Sequence, residues 1–190
     1  MVVLVLSDSH RFLSFMELCV EKLHPDCVIH LGDYYPDGYE LRAMCPGAEV
    51  YQVPGNCDEY SCDTHLPRIL MPVIGGVRFY MTHGHLHKVK MTRSLLLKDA
   101  RSAKAQVALY GHTHIPECSR EQDGLLVMNP GAAGFSGTAG VIEIEDGKVC
   151  SCRIVGRAEL EDMESFLRYT SATPILPLEQ SRERRFCFRP

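Results

Sequence analysis

The chain opens with Val2-Val3-Leu4-Val5-Leu6-Ser7-Asp8-Ser9-His10, five apolar residues that lead directly into an aspartate and a histidine. A continuous apolar run of this kind is typical of a β-strand covered on both faces. Apolar side chains then recur at helical spacing over residues 11 to 23, and residues 27 to 31 form the next apolar run. This β-α-β order predicts parallel strands whose carboxyl ends lie at one edge of a sheet, where ligands collect.

Four later stretches carry similar polar residues at or just after apolar runs. They are His30-Leu31-Gly32-Asp33, Gly55-Asn56-Cys57-Asp58, Thr82-His83-Gly84-His85 and Gly111-His112-Thr113-His114. A single Asp-x-His or His-x-His motif is weak evidence, because a lone histidine is more often a structural residue. Five such stretches are much harder to obtain by accident, so we predict that they meet at one metal centre.

The candidate metal ligands are of mixed chemical type. They are Asp8, His10, Asp33, Asn56, His83, His112 and His114. Carboxylates together with imidazoles suit Mn, Fe, Zn or Ni better than Mg or Ca, which prefer shells of oxygen alone. Seven protein ligands exceed the need of one ion, whereas two ions that share a bridging carboxylate would use them all.

The rest of the chain predicts a single larger domain, residues 1 to 156, and a C-terminal appendage, residues 157 to 190. Gly75-Gly76 predicts a hairpin between strands at 66 to 74 and 77 to 82, and Asp146-Gly147 a second one between strands at 140 to 145 and 149 to 155. A helix is expected over residues 91 to 103, with Leu95, Leu96 and Ala100 facing inward. Further strands are expected at 107 to 110 and 125 to 128. The appendage is expected to be a helix, over 159 to 169, and an irregular tail.

Composition limits the environment and the partners of the protein. The 190 residues carry a formal net charge of −4, which gives no overall attraction for nucleic acid or for an anionic membrane. Nine cysteines without a recognisable signal peptide favour free thiols in a reducing cytoplasm. The pair in Cys150-Ser151-Cys152 is expected to be buried and inert, because no second cysteine pair at zinc-site spacing accompanies it.

In their order and spacing, the five polar stretches resemble the motif set of the calcineurin-like metallophosphoesterases, and in particular the YfcE-like small phosphodiesterase branch. The likeness covers about residues 1 to 156. It implies an α/β fold, a four-layer sandwich of two mixed β-sheets flanked by helices. It also implies a dinuclear-metal-dependent phosphodiesterase, a cytoplasmic hydrolase in which a metal-bridging hydroxide attacks phosphorus.

The resemblance implies a role for each matching residue. Asp8, His10 and His114 hold the first metal, Asn56, His83 and His112 hold the second, and Asp33 bridges the two. Asn56 and His83 are also expected at the reacting phosphate, and Asp58 is expected to orient a ligand or water. The cofactors are two divalent transition metal ions, with manganese preferred over nickel, iron, zinc or cobalt.

Three departures from the family pattern affect the expected chemistry. Cys57 stands where many relatives have a histidine that assists the leaving group, so we expect weak activity on monoesters and better activity on diesters with acidic leaving groups. Asp37 follows Asp33 by four residues instead of three, which leaves its support of the site open. Asn129-Pro130-Gly131-Ala132 lacks a serine found in this branch, although its backbone amides could still line the substrate cleft.

The expected substrate is a small phosphodiester or a nucleotide, with neither a membrane nor a strong nucleic-acid partner. Cys57, His85 and Thr113 are candidate substrate contacts, although a purely structural role is an equal alternative for His85 and Thr113. The competing hypothesis is a catalytically weak scaffold on the same fold, comparable to a retromer component that resembles it. Homo-oligomerisation through the tail is left open.

Overall fold

The computed structural model describes residues 1 to 58 and 65 to 162. Their elements in chain order are β1 Val2–Leu6, α1 Leu13–Leu23, β2 Cys27–His30, α2 Asp37–Met44, β3 Glu49–Gln52, β4 Ile69–Leu70, β5 Val73–Ile74, β6 Val77–Thr82, α3 Ser94–Ser102, β7 Val107–Leu109, β8 Glu117–Arg120, β9 Leu126–Asn129, β10 Thr138–Glu145 and β11 Lys148–Gly156. Three-residue 3₁₀ turns lie at Asn56–Asp58 and His85–His87.

The strands form two mixed sheets. The first has the order β11-β10-β1-β2-β3, and the second has the order β4-β6-β7-β9-β8, with β5 also paired to β6. The strands β1, β2 and β3 run parallel, as do β6, β7 and β9, whereas the remaining pairs are antiparallel. The predicted α/β fold with two mixed sheets is therefore confirmed.

Alternation along the strands explains the four layers. In β1, Val3 and Val5 belong to the core between the two sheets, whereas Leu4 and Leu6 pack with Phe15 of α1 on the outer face. Successive side chains of a strand point to opposite faces, so a wholly apolar strand needs a partner layer on each side.

The second sheet shows the same alternation. Phe79 of β6 lies in the core between the sheets, and its neighbour Tyr80 packs with Leu96 and Ala100 of α3 on the other face. The expectation that Leu95 also faces inward is wrong, since its exposed fraction is 40%. Leu96 and Ala100 are four residues apart and share one helix face, from which the adjacent Leu95 is rotated away.

Two other differences from the sequence expectations concern strands. The stretch at 66 to 74 is interrupted at Pro72, which has no N–H to donate, and yields two short strands that both pair antiparallel with β6. The edge strand β8 was not predicted, because its sequence Glu-Cys-Ser-Arg contains little apolar character. Such a strand is defined by its backbone pairing with β9.

The expectation that Cys150 and Cys152 are both buried is also wrong. Cys150 is exposed and Cys152 is half-buried. The Sγ atom of Cys152 in β11 lies 3.1 Å from that of Cys118 in β8, where the edge strands of the two sheets meet. Both thiols are free.

The first residues of the predicted appendage contact the domain. Residues 157 to 162 are helical. Leu160 is fully buried in the outer core of the first sheet, together with Leu4 and Phe15. The rest of the predicted appendage, residues 163 to 190, lies outside the described residues. None of the helices in the described part of the chain has the length and apolar character needed to cross a membrane.

Replacing Leu160 by alanine tests whether the domain extends past residue 156. Leu160→Ala should lower the free energy of unfolding by about 2 to 4 kcal/mol, because it leaves a cavity in a packed core. Urea denaturation followed by circular dichroism measures the change. Asp162→Ala, at an exposed position two residues on, is the control and should change stability by less than about 0.5 kcal/mol. Equal stability of the two variants would contradict the assignment of Leu160 to the core.

Candidate metal centre

The predicted ligands follow the carboxyl ends of parallel strands in both sheets. Asp8 follows β1, Asp33 follows β2 and Asn56 follows β3, while His83 and His112 follow β6 and β7. Parallel strands end at the same edge of their sheet. The two sheets face each other, so these loops converge at one end of the sandwich.

Two groups of ligand atoms lie close together at this end. One nitrogen or oxygen from each of Asp8, His10, Asp33 and His114 lies within 4.8 Å of the others, and the same holds for Asp33, His83 and His112. Asp33 belongs to both groups. Asn56 joins the second, since its Oδ1 lies 3.1 Å from Nε2 of His83. The structure therefore brings all seven predicted ligands together.

The two oxygens of the Asp8 carboxylate differ in their hydrogen bonding. Its Oδ2 accepts hydrogen bonds from the Ser7 hydroxyl at 2.6 Å and from the His112 amide at 3.1 Å. Its buried Oδ1 has no hydrogen-bond partner among the described residues and lies 3.1 Å from Nε2 of His114. A buried carboxylate oxygen without a donor is costly. It suits the coordination of a cation, and the donor set therefore fits a metal.

The carboxylate of Asp33 is held between the two groups. Its Oδ1 accepts a hydrogen bond from the Cys57 amide at 2.9 Å and lies 3.4 Å from Nε2 of His83. Burial by itself would raise the pKa of Asp33, but the hydrogen bond and charge of His83 and the Cys57 amide bring this pKa well below its ordinary value. Asp33 is therefore ionised, the form that binds metals.

His83 is oriented by the backbone. Its Nδ1–H donates to the carbonyl of Leu31 at 2.7 Å, which directs Nε2 toward Asp33 and Asn56. A second hydrogen bond of this kind is the usual means of orienting a metal-binding imidazole. Burial lowers the pKa of His83, but the hydrogen bond to Asp33 and the charges of Asp8 and Asp33 outweigh it, so the pKa is raised.

His112 differs from His83 in its protonation. Burial, followed by the charges of His83 and Lys90, lowers the pKa of His112 to about 4. The imidazole is therefore neutral at physiological pH and has a lone pair available for a metal.

The backbone at the site is strained. Five of the predicted ligands, Asp8, His10, Asp33, His112 and His114, have φ between 44° and 67°. This left-handed conformation costs a non-glycine residue about 1 to 2 kcal/mol. Close packing of the loops accompanies it, since a Cβ atom on Gly55 would lie 2.1 Å from Oδ1 of Asp33. Strain of this kind concentrates at functional sites.

A buried polar network supports the first ligand loop. The Asp37 carboxylate accepts hydrogen bonds from the Ser9 hydroxyl at 2.6 Å and from the Arg11 amide at 2.9 Å. The Ser9 hydroxyl also lies 2.8 Å from Nε2 of His30. Asp37 thus supports the loop of Asp8 and His10 despite its shifted position in sequence. His30 was not predicted, although a histidine within an apolar run was a visible signal.

Asp58 connects the two loops that carry Asp33 and Asn56. Its Oδ1 accepts hydrogen bonds from the amides of Tyr34 and Tyr35 at 3.1 and 2.8 Å. Its Oδ2 accepts from the amide of Gly55 at 2.8 Å. The side chain is 1% exposed. These contacts orient the backbone that presents the ligands.

The three candidate substrate contacts have different environments. Cys57 is exposed, with its Sγ 3.4 Å from Oδ2 of Asp33, and burial together with the Asp33 charge raises its pKa to about 11. The ring centroid of His85 lies 5.4 Å from that of His83. The hydroxyl of Thr113 accepts hydrogen bonds from the Asn129 amide group at 2.9 Å and from the Ile115 amide at 3.2 Å, which favours its structural role.

The expectation that the backbone amides of Asn129-Pro130-Gly131-Ala132 line the substrate cleft is wrong. The Gly131 amide donates to Oδ1 of Asn129 at 2.9 Å, and the Ala132 amide donates to the Ser136 hydroxyl at 3.4 Å. Asn129 itself is fully buried and donates to the carbonyl of Gly111 at 3.0 Å. This segment therefore holds the loop of His112 and His114 in place.

Comparisons with known proteins identify the family of this chain. A family model described as the calcineurin-like phosphoesterase superfamily domain matches residues 1 to 147. A probable metallophosphoesterase of Mycoplasma pneumoniae is 35% identical over 134 residues, which are 68% of this chain and 77% of that protein. A Methanocaldococcus jannaschii protein named a phosphodiesterase is 26% identical over 141 residues, 67% of this chain and 81% of its own length.

Solved structures share the fold. A conserved Streptococcus pneumoniae protein described as a predicted phosphoesterase superposes with a TM-score of 0.66 at 26% identity, over 83% of this chain and 90% of its own. Wild-type Vps29 of Entamoeba histolytica, solved in complex with Zn²⁺, gives a TM-score of 0.62 at 22% identity, over 82% of this chain and 98% of its own. The second likeness bears on the fold alone.

Replacing Asp58 separates support of the loops from direct chemistry. Asp58→Ala leaves three backbone N–H groups without their acceptor, so it should lower the free energy of unfolding by about 3 kcal/mol and weaken metal binding about tenfold or more. Chemical denaturation and metal titration measure the two effects.

The control is Asp26→Ala, since Oδ2 of the exposed Asp26 also accepts one backbone hydrogen bond, from Val2 at 2.7 Å. It should cost about 1 kcal/mol or less and leave metal binding unchanged. Loss of turnover in Asp58→Ala with normal stability and normal metal affinity would instead assign Asp58 a direct role in the reaction.

Proposed function

Because this chain belongs to the calcineurin-like phosphoesterase superfamily, we propose that it is a dinuclear-metal-dependent phosphoesterase that hydrolyses phosphodiesters. The observation that carries the proposal is the Asp33 carboxylate, which is common to both groups of ligand atoms. The relative from Methanocaldococcus jannaschii is named a phosphodiesterase, which supports the choice of ester. The cytoplasmic location and the nucleotide or small phosphodiester substrate stay predictions from the sequence.

The donor set supports two divalent transition metal ions, with manganese the first choice. Asp8, His10 and His114 would hold one ion, Asn56, His83 and His112 the other, with Asp33 between them. Two such ions lower the pKa of a coordinated water and stabilise negative charge on a phosphoryl group. Imidazole nitrogens and carboxylate oxygens in this proportion favour first-row transition metals over Mg²⁺ and Ca²⁺.

The protein side chains position the substrate relative to this pair. Asn56 faces Nε2 of His83 with its Oδ1, and its Nδ2 donates one N–H to Sγ of Cys57 at 3.5 Å. The second N–H of Nδ2 is left to donate a hydrogen bond to a phosphate oxygen. His83 cannot turn away, because its Nδ1–H is held by the Leu31 carbonyl in a fully buried position. Rigid ligands of this kind reduce the reorganisation that the reaction requires.

Cys57 limits the range of leaving groups. With a pKa of about 11, its thiol remains protonated at neutral pH. It therefore carries a proton next to the site but is a weak acid compared with an imidazolium, and an alkoxide gains little from it. An acidic alcohol such as a nitrophenol leaves without such help. We propose that diesters with acidic leaving groups are the better substrates.

A scaffold remains the competing proposal, since Vps29 of Entamoeba histolytica shares this fold. An interaction protein requires no functional ligand set, whereas here all seven candidate ligands converge. The presence of these ligands supports an enzyme. Metal binding without any turnover would favour the scaffold.

Asp33→Asn should abolish hydrolysis. The carboxamide retains the shape of the carboxylate but loses the charge that both metal positions require, so turnover of bis(p-nitrophenyl) phosphate with Mn²⁺ should fall by about 100-fold or more. Asp26→Asn makes the same chemical change at an exposed position away from the site and should retain full activity. The absence of turnover in the unmodified protein with Mn²⁺, Ni²⁺, Co²⁺ or Fe²⁺ would contradict the proposal.

Cys57→His should change the preference among substrates. A histidine at this exposed position has a pKa near neutrality and protonates a departing alkoxide more effectively than a thiol. The ratio of kcat/KM for alkyl monoesters to that for the nitrophenyl diester should rise about tenfold or more. Cys57→Ser is the control and should not raise the ratio. An unchanged ratio in Cys57→His would exclude residue 57 from leaving-group assistance.

A further inference from the structure

A cavity lies at the end of the second sheet that is opposite the metal centre. Its volume is about 580 Å³, within the range of pockets that bind small ligands. Arg78 is the second residue of β6, and Gln106 and Leu125 directly precede β7 and β9, so the cavity lies at the amino ends of these strands. The metal centre follows the other ends of these strands. His83 is five residue steps after Arg78 along β6, a distance of about 16 Å.

The cavity is lined mainly by positively charged side chains, although the chain as a whole is negatively charged. It is lined by five basic residues and one acidic residue, namely Arg78, Arg101, Lys104, Arg120, Lys148 and Asp123. The whole chain, in contrast, has a formal net charge of −4. Like charges this close together repel one another and attract an anion with several charges.

Only one of the five cations is paired with a carboxylate in the described part of the chain. Arg101 lies 2.6 Å from Asp123 and 3.7 Å from Glu121. The remaining four form no ion pair with a carboxylate among residues 1 to 58 and 65 to 162: they are Arg78, Lys104, Arg120 and Lys148.

Two of these four side chains are oriented by backbone carbonyls. Nε of Arg78 donates to the carbonyl of Lys104 at 2.7 Å. Nη1 of Arg120 donates to the carbonyl of Gly124 at 2.9 Å. The contacts hold the guanidinium groups at the cavity without neutralising their charge. Other N–H groups of each guanidinium remain available, in the fork arrangement that matches phosphate oxygens.

We propose that this cavity binds an oligophosphate, meaning a chain of two or more phosphates, either as the inorganic anion or as part of a nucleoside di- or triphosphate. The four unpaired cations match the negative charge of such a phosphate chain. A ligand with a single carboxylate would neutralise only one of these four positive charges. Ala105 and Val149 also line the cavity and are half-buried, so they offer an apolar surface to a nucleoside. This site is separate from the metal centre and does not depend on the function proposed for it.

The test is a titration of the full-length, zinc-loaded protein with inorganic triphosphate, followed by amide chemical shifts in NMR. Zn²⁺ is diamagnetic, so signals near the metal centre remain visible. The amides of Gln106 and Gly124 should shift in a saturable manner. Shifts confined to Gly111 and His112 would instead indicate withdrawal of the metal by the phosphate chain, and would overturn the proposal.

Charge reversal provides a matched comparison. Lys104→Glu should weaken the affinity for triphosphate about tenfold or more, and Lys148→Glu should do the same if Lys104→Glu does not fold. Lys98→Glu makes the same change in net charge at an exposed position of α3 outside the cavity, and should weaken binding less than twofold. An equal loss of affinity in all three variants would show that binding depends only on the overall charge of the protein, and would overturn the proposal.

Two further affinity measurements test where the triphosphate binds and which part of the ligand is recognised. Asp33→Asn should leave the affinity for triphosphate within twofold, because it alters only the metal centre, and a larger loss would overturn the proposal. ATP that binds more tightly than triphosphate would identify a nucleotide ligand, and equal affinities would identify the phosphate chain alone. The absence of binding by both at millimolar concentration would reject an oligophosphate site.

Discussion

A single buried carboxylate, that of Asp33, is the constraint around which the metal centre is built. It is the one ligand common to both groups, and it is fixed by the Cys57 amide and lies beside His83. Asp8 is buried in the same place with one oxygen that lacks a donor among the described residues. Two buried carboxylates this close to each other are unfavourable by themselves, and positive charge at the site relieves this cost. The raised pKa of His83 has the same cause, because the two carboxylates stabilise a positive charge on the imidazole.

The strain of the ligand loops is balanced by hydrogen bonds below them. Five candidate ligands adopt left-handed backbone conformations, which together cost several kcal/mol. Asp58 accepts three hydrogen bonds from the loops and Asp37 accepts two, and Asn129 connects Gly111 to Thr113. The hydrogen bonds accepted by the two carboxylates are charge-assisted and contribute about 1.5 to 3 kcal/mol each, and those of Asn129 about 1 kcal/mol each. The loops can therefore hold a geometry that their own conformational preferences disfavour.

The sandwich has chemically different ends. At the carboxyl ends of the parallel strands, carboxylates and imidazoles converge and attract cations. At the amino ends of the second sheet, arginine and lysine side chains surround a cavity suited to an anion. The strands between them are packed on both faces by apolar residues, which exclude water from the intervening core. The two regions can therefore carry separate functions on one rigid framework.

Local patterns in the chain were sufficient to predict the parallel pairing of β1 with β2 and the convergence of all seven ligands, because the period of apolar residues reports which faces are buried and a polar residue after such a run lies at a strand end. The two mixed sheets were predicted from the resemblance of the polar stretches to a known family. Local patterns could not predict β8, whose pairing with β9 is not encoded in its own polarity. They also could not reveal that Asp58 binds the amides of Tyr34, Tyr35 and Gly55, or that the basic side chains at 78, 104, 120 and 148 surround one cavity. These features depend on contacts between residues far apart in the chain, and only the packing of the sheets against one another and against their loops brings those residues together.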